Sequence, residues 1–159
     1  MKIFKLIPIL LCIFMLNVAS MCSGNDDNSN DNTNSIALVQ VAITNTASTG
    51  TWRITRYEDS GNNETSNFNG YNFTFGPSNV LSATNDTNSY SGTWSVSSNI
   101  SNDDNPSNDI DFNILFSTPV NFEDLSDDWD IVSYSANKIQ LKDVSGGNGG
   151  TDYLTFEKN

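Results

Sequence analysis

Hydrophobic and polar residues alternate along most of the chain beyond Thr51. Tyr71, Phe73 and Phe75 are separated by single polar residues, and residues 110–116 repeat the pattern with an apolar residue at every second position. Successive side chains of a strand point to opposite faces, so this period of two predicts half-buried strands in an antiparallel sheet. The predicted strands lie near residues 51–57, 71–75, 79–84, 89–97, 109–116, 129–134, 137–142 and 151–157.

The connections between these strands are short and rich in turn-forming residues. Segments such as 76–78 and 135–137 contain Gly, Pro, Ser and Asn, which are typical of hairpin turns. Eight hairpin-linked strands either close on themselves or stack as two sheets, and closure leaves no unpaired edge. The sequence therefore predicts an all-β fold, an eight-stranded antiparallel up-and-down β-barrel, with a β-sandwich as the alternative.

Two segments outside the strand pattern are predicted to be helical. Ile36, Val39 and Ile43 share one helical face within residues 36–43, which favours a short helix under the barrel over an extra strand. Residues 122–126 are expected to form one helical turn across an end of the barrel, with Leu125 as its plug.

A glycine precedes a tryptophan by two positions in two predicted strands. Gly50 and Gly92 provide a turn or a close approach of two backbones, and Trp52 and Trp94 point inward. An eight-stranded barrel is just wide enough for side chains to fill it, so the inward rings either form a solid core or also line an apolar pocket at one mouth. Alternation places Arg56 on the Trp52 face near a mouth, where it binds an anionic ligand group or pairs with an acid. The candidate pocket or mouth residues are Trp52, Arg56, Phe73, Tyr90, Trp94, Phe112 and Trp129.

The first 21 residues have the zones of a bacterial export signal. Lys2 and Lys5 precede an apolar run over residues 6–16, about 11 residues long, which is too short to span a bilayer. Cys22 follows where the apolar run gives way to polar sequence, which is the position that lipidation requires. We expect residues 1–21 to be a lipoprotein signal peptide and Cys22 to be the lipidation site.

This leader resembles the signals of bacterial lipoproteins, in which the cysteine is acylated and becomes the new N-terminus. Met21 and Ala19 replace the small residue and the leucine of the usual motif, a looser form that resembles lipoproteins of the Bacteroidetes type. Residues 22–35 are polar and predict a disordered acidic linker, whose Asp26 and Asp27 resemble a routing label for the outer face. The resemblance implies an outer-membrane protein, lipid-anchored and surface-exposed, with the periplasmic face as the alternative.

Charge and composition narrow the range of functions. Beyond Cys22 the chain has five basic and 19 acidic residues, a net charge near −14, which disfavours nucleic acid as a partner. The absence of histidine excludes Ser-His-Asp and Cys-His catalysis and the commonest zinc ligand. Two acidic clusters, around Asp103 and around Asp127, lack the spacing of a calcium-binding EF-hand loop and are interpreted as solvated loop charge. We expect no enzyme activity, no cofactor and no metal.

The ordered set of barrel elements from about residue 47 to Asn159 resembles the lipocalin-like lipoprotein domains, and we expect residues 36–159 to form the whole domain. The motifs that carry the resemblance are Gly50-Thr51-Trp52, Phe73-Thr74-Phe75, Ser91-Gly92-Thr93-Trp94-Ser95 and the closing Tyr153-Leu154-Thr155-Phe156. Classical lipocalins place an arginine from the end of the barrel against the first tryptophan. This chain has no arginine after Arg56, so Lys158 is the cation left to serve in that contact.

The resemblance implies a lipid-anchored module that binds a small apolar ligand or a glycan or protein partner at the cell surface. Two alternatives remain: a structural envelope protein with a packed barrel and no ligand, and a hydrolase that uses loop carboxylates.

Overall fold

The computed structural model describes residues 30–98, 110–144 and 150–159, and most of them belong to one sheet. Two helices and a 3-10 turn at Thr65–Phe68 accompany the strands; a second 3-10 turn, Pro77–Asn79, lies between β3 and β4. The helices are α1 (Asn30–Ala47) and α2 (Val120–Glu123). The strands are β1 (Trp52–Asp59), β2 (Asn62–Asn63), β3 (Asn72–Phe75), β4 (Val80–Thr84), β5 (Ser89–Ser98), β6 (Ile110–Leu115), β7 (Asp127–Ser135), β8 (Lys138–Val144) and β9 (Thr151–Lys158).

The sheet closes into a barrel because its first and last long strands pair with each other. From β3 onward each strand pairs antiparallel with the next, and β1 pairs with both β3 and β9. In the closing pair Trp52 lies opposite Lys158, and Tyr57 lies opposite Leu154. The predicted eight-stranded up-and-down barrel is therefore confirmed, and the alternative of a sandwich is wrong.

All eight predicted strands are present, each within two residues of its predicted bounds. The additional strand, β2, has only two residues and extends the hairpin at the end of β1, where Asp59 lies opposite Asn62. Asn62 and Asn63 are both exposed and polar, so no alternation marked them as a strand.

The helix predicted over 36–43 is confirmed as α1, but it is longer than the pattern indicated. It begins at Asn30, inside the segment expected to be a disordered linker, and it ends at Ala47, three residues before Gly50, whose φ is +78°. The added residues are mostly Asn, Thr and Ser, which have modest helix propensity. Tertiary packing therefore stabilises the helix: Ile43 and Ala47 are buried in the core.

Helix α1 lies at one end of the barrel, and α2 lies with the Thr65–Phe68 turn at the other. The helix end is the one where β1 starts and β5 ends, and there α1 packs against β5. The Gln40 side-chain amide of α1 donates a hydrogen bond of 2.7 Å to the Val96 carbonyl oxygen. At the opposite end, α2 connects β6 to β7 and the 3-10 turn leads from the β1–β2 hairpin into β3. Secondary structure thus covers both ends of the barrel.

Candidate functional site

The aromatic residues predicted to line a pocket are packed into the interior of the barrel. The side chains of Trp52 and Phe73 are fully buried, as are those of Phe112 and Trp129. Phe75 contacts three other rings, with centroid separations of 5.2 Å to Trp94 and 5.3 Å to both Phe112 and Phe156. The Phe75 ring makes interplanar angles of 66–89° with these three rings, which is the edge-to-face arrangement of a packed core.

Each tryptophan also has its one polar group satisfied within the protein. The indole N–H groups of Trp52, Trp94 and Trp129 donate to the carbonyl oxygens of Ala47, Gly76 and Leu125, respectively, at 2.9–3.0 Å. Among the described residues, no buried side-chain nitrogen or oxygen lacks a hydrogen-bond partner. The described part of the interior therefore contains no unsatisfied side-chain polar group to which a ligand could hydrogen-bond.

The predicted mouth residues do not converge on a single mouth. Trp52 lies at the helix end, where α1 covers it. Tyr90 lies at the opposite end, half-buried, with its ring 4.9 Å from that of Phe122 in α2. A hydrogen bond with Tyr71 raises the pKa of Tyr90 above its usual value.

Phe122 and Leu125 close the opposite end. Both are fully buried, so Leu125 is buried at the barrel end as predicted. The helical turn is Val120–Glu123 rather than 122–126, and Leu125 lies two residues beyond its end. The Tyr57 hydroxyl donates to the Asp124 carbonyl oxygen at 2.7 Å and ties this turn to β1. Burial of the ring raises the pKa of Tyr57 well above its usual range.

The predicted position of Arg56 is wrong because β1 contains a bulge. The pairing of β1 with β9 shifts its register between Ile54 and Arg56, which turns Arg56 to the outer face and Tyr57 to the inner face. Arg56 forms an ion pair of 2.7 Å with Glu58, and its guanidinium carbon lies 4.1 Å from the centre of the Tyr153 ring. The hydrogen bond from Arg56 lowers the pKa of Glu58. Arg56 is thus engaged by an acid, the second of its two predicted roles.

Lys158 occupies the position expected for the missing arginine. Its ammonium nitrogen lies 4.7 Å from the centre of the Trp52 ring, a cation–π contact. Gly92 has the close approach predicted for it, because a Cβ there would overlap the Leu115 carbonyl oxygen and the Phe116 ring. The cation expected against the first tryptophan and the close approach expected at Gly92 are therefore both present.

A groove that sequence reasoning missed lies on the outer face of β5 and β6. It has a volume of about 460 Å³. Its lining is mainly hydroxyl and amide side chains, with one carboxylate and the exposed Leu115: Asn79, Thr93, Trp94, Ser95, Ser97, Asn113, Ile114, Leu115, Ser126 and Asp127. Outward-facing Ser and Thr residues are ordinary on a strand, so no pattern along the chain indicates this groove.

One side chain of the groove has unusual electrostatics. Partial burial, and then a hydrogen bond with the Asp128 side chain, raise the pKa of Asp127 to about 6. The nearby carboxylate of Asp143 acts in the same direction. Asp127 therefore changes its charge near pH 6, whereas an ordinary carboxyl group does so near pH 4.

No metal site forms among the residues that the structure describes: none of their Cys, Asp or Glu side chains gather in groups of three or more. Asp103, Asp104 and Asp109 of the first acidic cluster lie outside those residues, as do Cys22 and the signal peptide. Neither described helix combines the length and the apolar composition needed to cross a membrane.

Comparison with known proteins adds no relative. No protein-family model, no curated protein and no solved structure matches this chain. The resemblance to lipocalin-like lipoproteins consequently remains a prediction from its sequence motifs, and the closed barrel is the feature that the structure establishes.

Proposed function

We propose that this protein is a non-enzymatic, lipid-anchored outer-membrane lipoprotein, exposed at the cell surface, whose barrel binds a polar partner such as a glycan through its outer face. The observation that carries the proposal is the filled interior. Trp52, Phe73, Phe112 and Trp129 are buried against other side chains, and helical segments cover both ends of the barrel. For that reason the binding surface is assigned to the outside of the barrel.

The groove on β5 and β6 supports a polar ligand. Hydroxyl and amide groups both donate and accept hydrogen bonds, as the hydroxyls of a sugar do, and Leu115 offers an exposed apolar surface beside them. The Asn113 amide donates to the Ser97 hydroxyl at 2.9 Å, so these two groove side chains are already held in place. Such pre-organisation lowers the entropy cost of binding.

The anchor is proposed from Cys22 and the apolar run before it. Mass spectrometry of the protein extracted from its own membranes should find residues 1–21 removed and Cys22 carrying fatty acids. Cys22→Ser should release the protein from the membrane fraction, and protease treatment of intact cells should cleave the anchored form. A protein with an unmodified Cys22 that still fractionates with membranes contradicts the anchor.

Binding is tested separately with a glycan array. We expect Asn113→Leu to abolish binding, while Gln140→Leu, a matched change on β8, leaves it intact. The second candidate function, a structural envelope protein with no ligand, rests on the same filled interior. It is favoured if the array shows no binding, and native mass spectrometry that finds a lipid inside the barrel would contradict both candidates.

A further inference from the structure

Helix α1 has an apolar side that the barrel does not cover. Its inner side buries Ile43 and Ala47 in the core. On the outer side Leu38 is 71% exposed and Val41 is 55% exposed, and Ala42 is exposed beside them. These three residues, here called the outer face of α1, lie within one turn of each other. A helix that packs one apolar side and exposes another has a second surface to bury.

The outer face of α1 is uncharged in a strongly acidic protein. The sequence contains no charged residue between Asp31 and Arg53, although the whole chain has a net charge of −12. A bilayer repels a carboxylate through its desolvation cost and through any anionic headgroups. The outer face of α1 has no carboxylate to desolvate or to be repelled by headgroups, so its contact with an apolar phase is favourable.

The same helix is the described element nearest in sequence to the proposed lipid anchor. Seven residues separate Cys22 from Asn30, where α1 begins, which makes eight Cα–Cα steps. A chain of that length spans at most about 29 Å when fully extended, and its typical reach is about 15 Å. An acylated Cys22 therefore keeps α1 close to the bilayer surface, whatever the orientation of the barrel.

We propose that the outer face of α1 docks into the interface of the bilayer and lies along it, with the barrel standing on its helix end. An amphipathic helix of this kind buries its apolar face about 5–10 Å into the headgroup and acyl boundary. The inference rests on the lipid anchor proposed above, because three exposed side chains bind a membrane weakly without one. A second copy of the chain is disfavoured as the occupant, because specific protein interfaces bury roughly 1,200 Å² or more and the three side chains of the outer face of α1 supply only a small part of such an area.

The helix fixes the orientation of the barrel relative to the membrane. Gln40 bonds to Val96 of β5 at 2.7 Å, and the Ala47 carbonyl accepts the indole N–H of Trp52 in β1 at 2.9 Å. A docked α1 therefore holds two strands at a set angle to the bilayer. The opposite end, with α2, points away from the membrane.

The test uses protein purified from membranes with its acylation measured by mass spectrometry, then reconstituted into phosphatidylcholine vesicles. Leu38→Cys carries an environment-sensitive fluorophore on the outer face of α1. Val120→Cys carries the same fluorophore on α2, at a valine that is 74% exposed at the opposite end of the barrel. We expect the label at position 38 to emit at shorter wavelength, to be quenched by nitroxide lipids and to be protected from aqueous iodide. The label at position 120 should be quenched by iodide alone.

Each outcome separates the inference from the proposed function. If Cys22 is acylated and the label at position 38 is quenched by iodide as strongly as the label at position 120, docking is refuted while the anchor stands. If neither iodide nor nitroxide lipids quench the label at position 38, a protein contact such as a second copy covers the helix, and docking is again refuted. If Cys22 is unmodified, the anchor and the docking fail together.

Discussion

Replacing Phe122 by alanine tests whether the barrel is closed by tight packing. The Phe122 ring is the central contact of the opposite end and is fully buried. Its centroid lies within 6.0 Å of those of five other rings, namely Phe68, Tyr71, Phe73, Tyr90 and Phe116. An end that opened to admit a ligand would leave this ring with few such contacts.

The expected loss of stability follows from two contributions. Returning the apolar surface of a phenyl ring to water removes about 2 kcal/mol of transfer free energy. A residual cavity of about 80 Å³, at about 24 cal/mol per Å³, removes about 2 kcal/mol more. Because α2 is tied to β1 by the hydrogen bond from Tyr57, we do not expect the turn to collapse into the space. Phe122→Ala should therefore lower the free energy of unfolding by about 4 kcal/mol.

Urea denaturation followed by tryptophan fluorescence measures this change, because Trp52, Trp94 and Trp129 are all buried and report unfolding. Val120→Ala provides the matched control in the same helix, since Val120 is exposed, and it should change stability by less than about 0.5 kcal/mol. A loss below about 1 kcal/mol for Phe122→Ala would refute the packed end. It would also favour the alternative in which the inward rings line a pocket that opens for a ligand.

Three further changes test individual contacts. Gly92→Ala should destabilise the barrel by about 2 kcal/mol in urea denaturation, because its methyl group would overlap the Leu115 carbonyl oxygen; a neutral result would contradict the close approach of β5 and β6. Lys158→Met should cost about 0.5–1 kcal/mol through loss of the contact with Trp52, and Lys158→Arg should retain the stability if that contact is a cation–π interaction. The pKa of Asp127 is about 6 in the folded protein and 3.8 in a free chain, so the fold holds a proton that the unfolded chain has released, and stability falls as the pH rises through 6. Between about pH 5 and pH 7.5 the unfolding free energy of the wild-type protein should therefore fall, and in Asp127→Asn this fall should be smaller by about 1 kcal/mol, a value that allows for the solvent exposure of the side chain. A pH profile of stability that Asp127→Asn leaves unchanged would contradict the raised pKa.

The positions of the strands were predictable because alternation is a local property. Phe73, Trp94 and Phe112 point inward as their period-two patterns indicated, and the bounds of all eight strands agree within two residues. A strand with one dry face requires apolar side chains at every second position wherever its partners lie. The identity of the core residues follows for the same reason.

Arg56 shows where this local reasoning fails. A β-bulge adds one residue to β1 between Ile54 and Arg56, and every later side chain of the strand changes face. The bulge depends on how β1 pairs with β9, whose residues are about 100 positions away in the sequence. No pattern within β1 reports that pairing, so alternation alone predicts the wrong face for Arg56.

Alternation along the chain was sufficient to predict a meander of half-buried strands with aromatic rings on the buried face, because each strand encodes its own two-sided environment. The register shift of β1 against β9, the extent of α1 from Asn30 to Ala47 and the filling of the interior by the inward rings were visible only in three dimensions. These features depend on contacts between distant segments, such as the hydrogen bond from Gln40 to Val96 across 56 positions. Their free energy arises from packing in space, which periodicity along the chain does not encode.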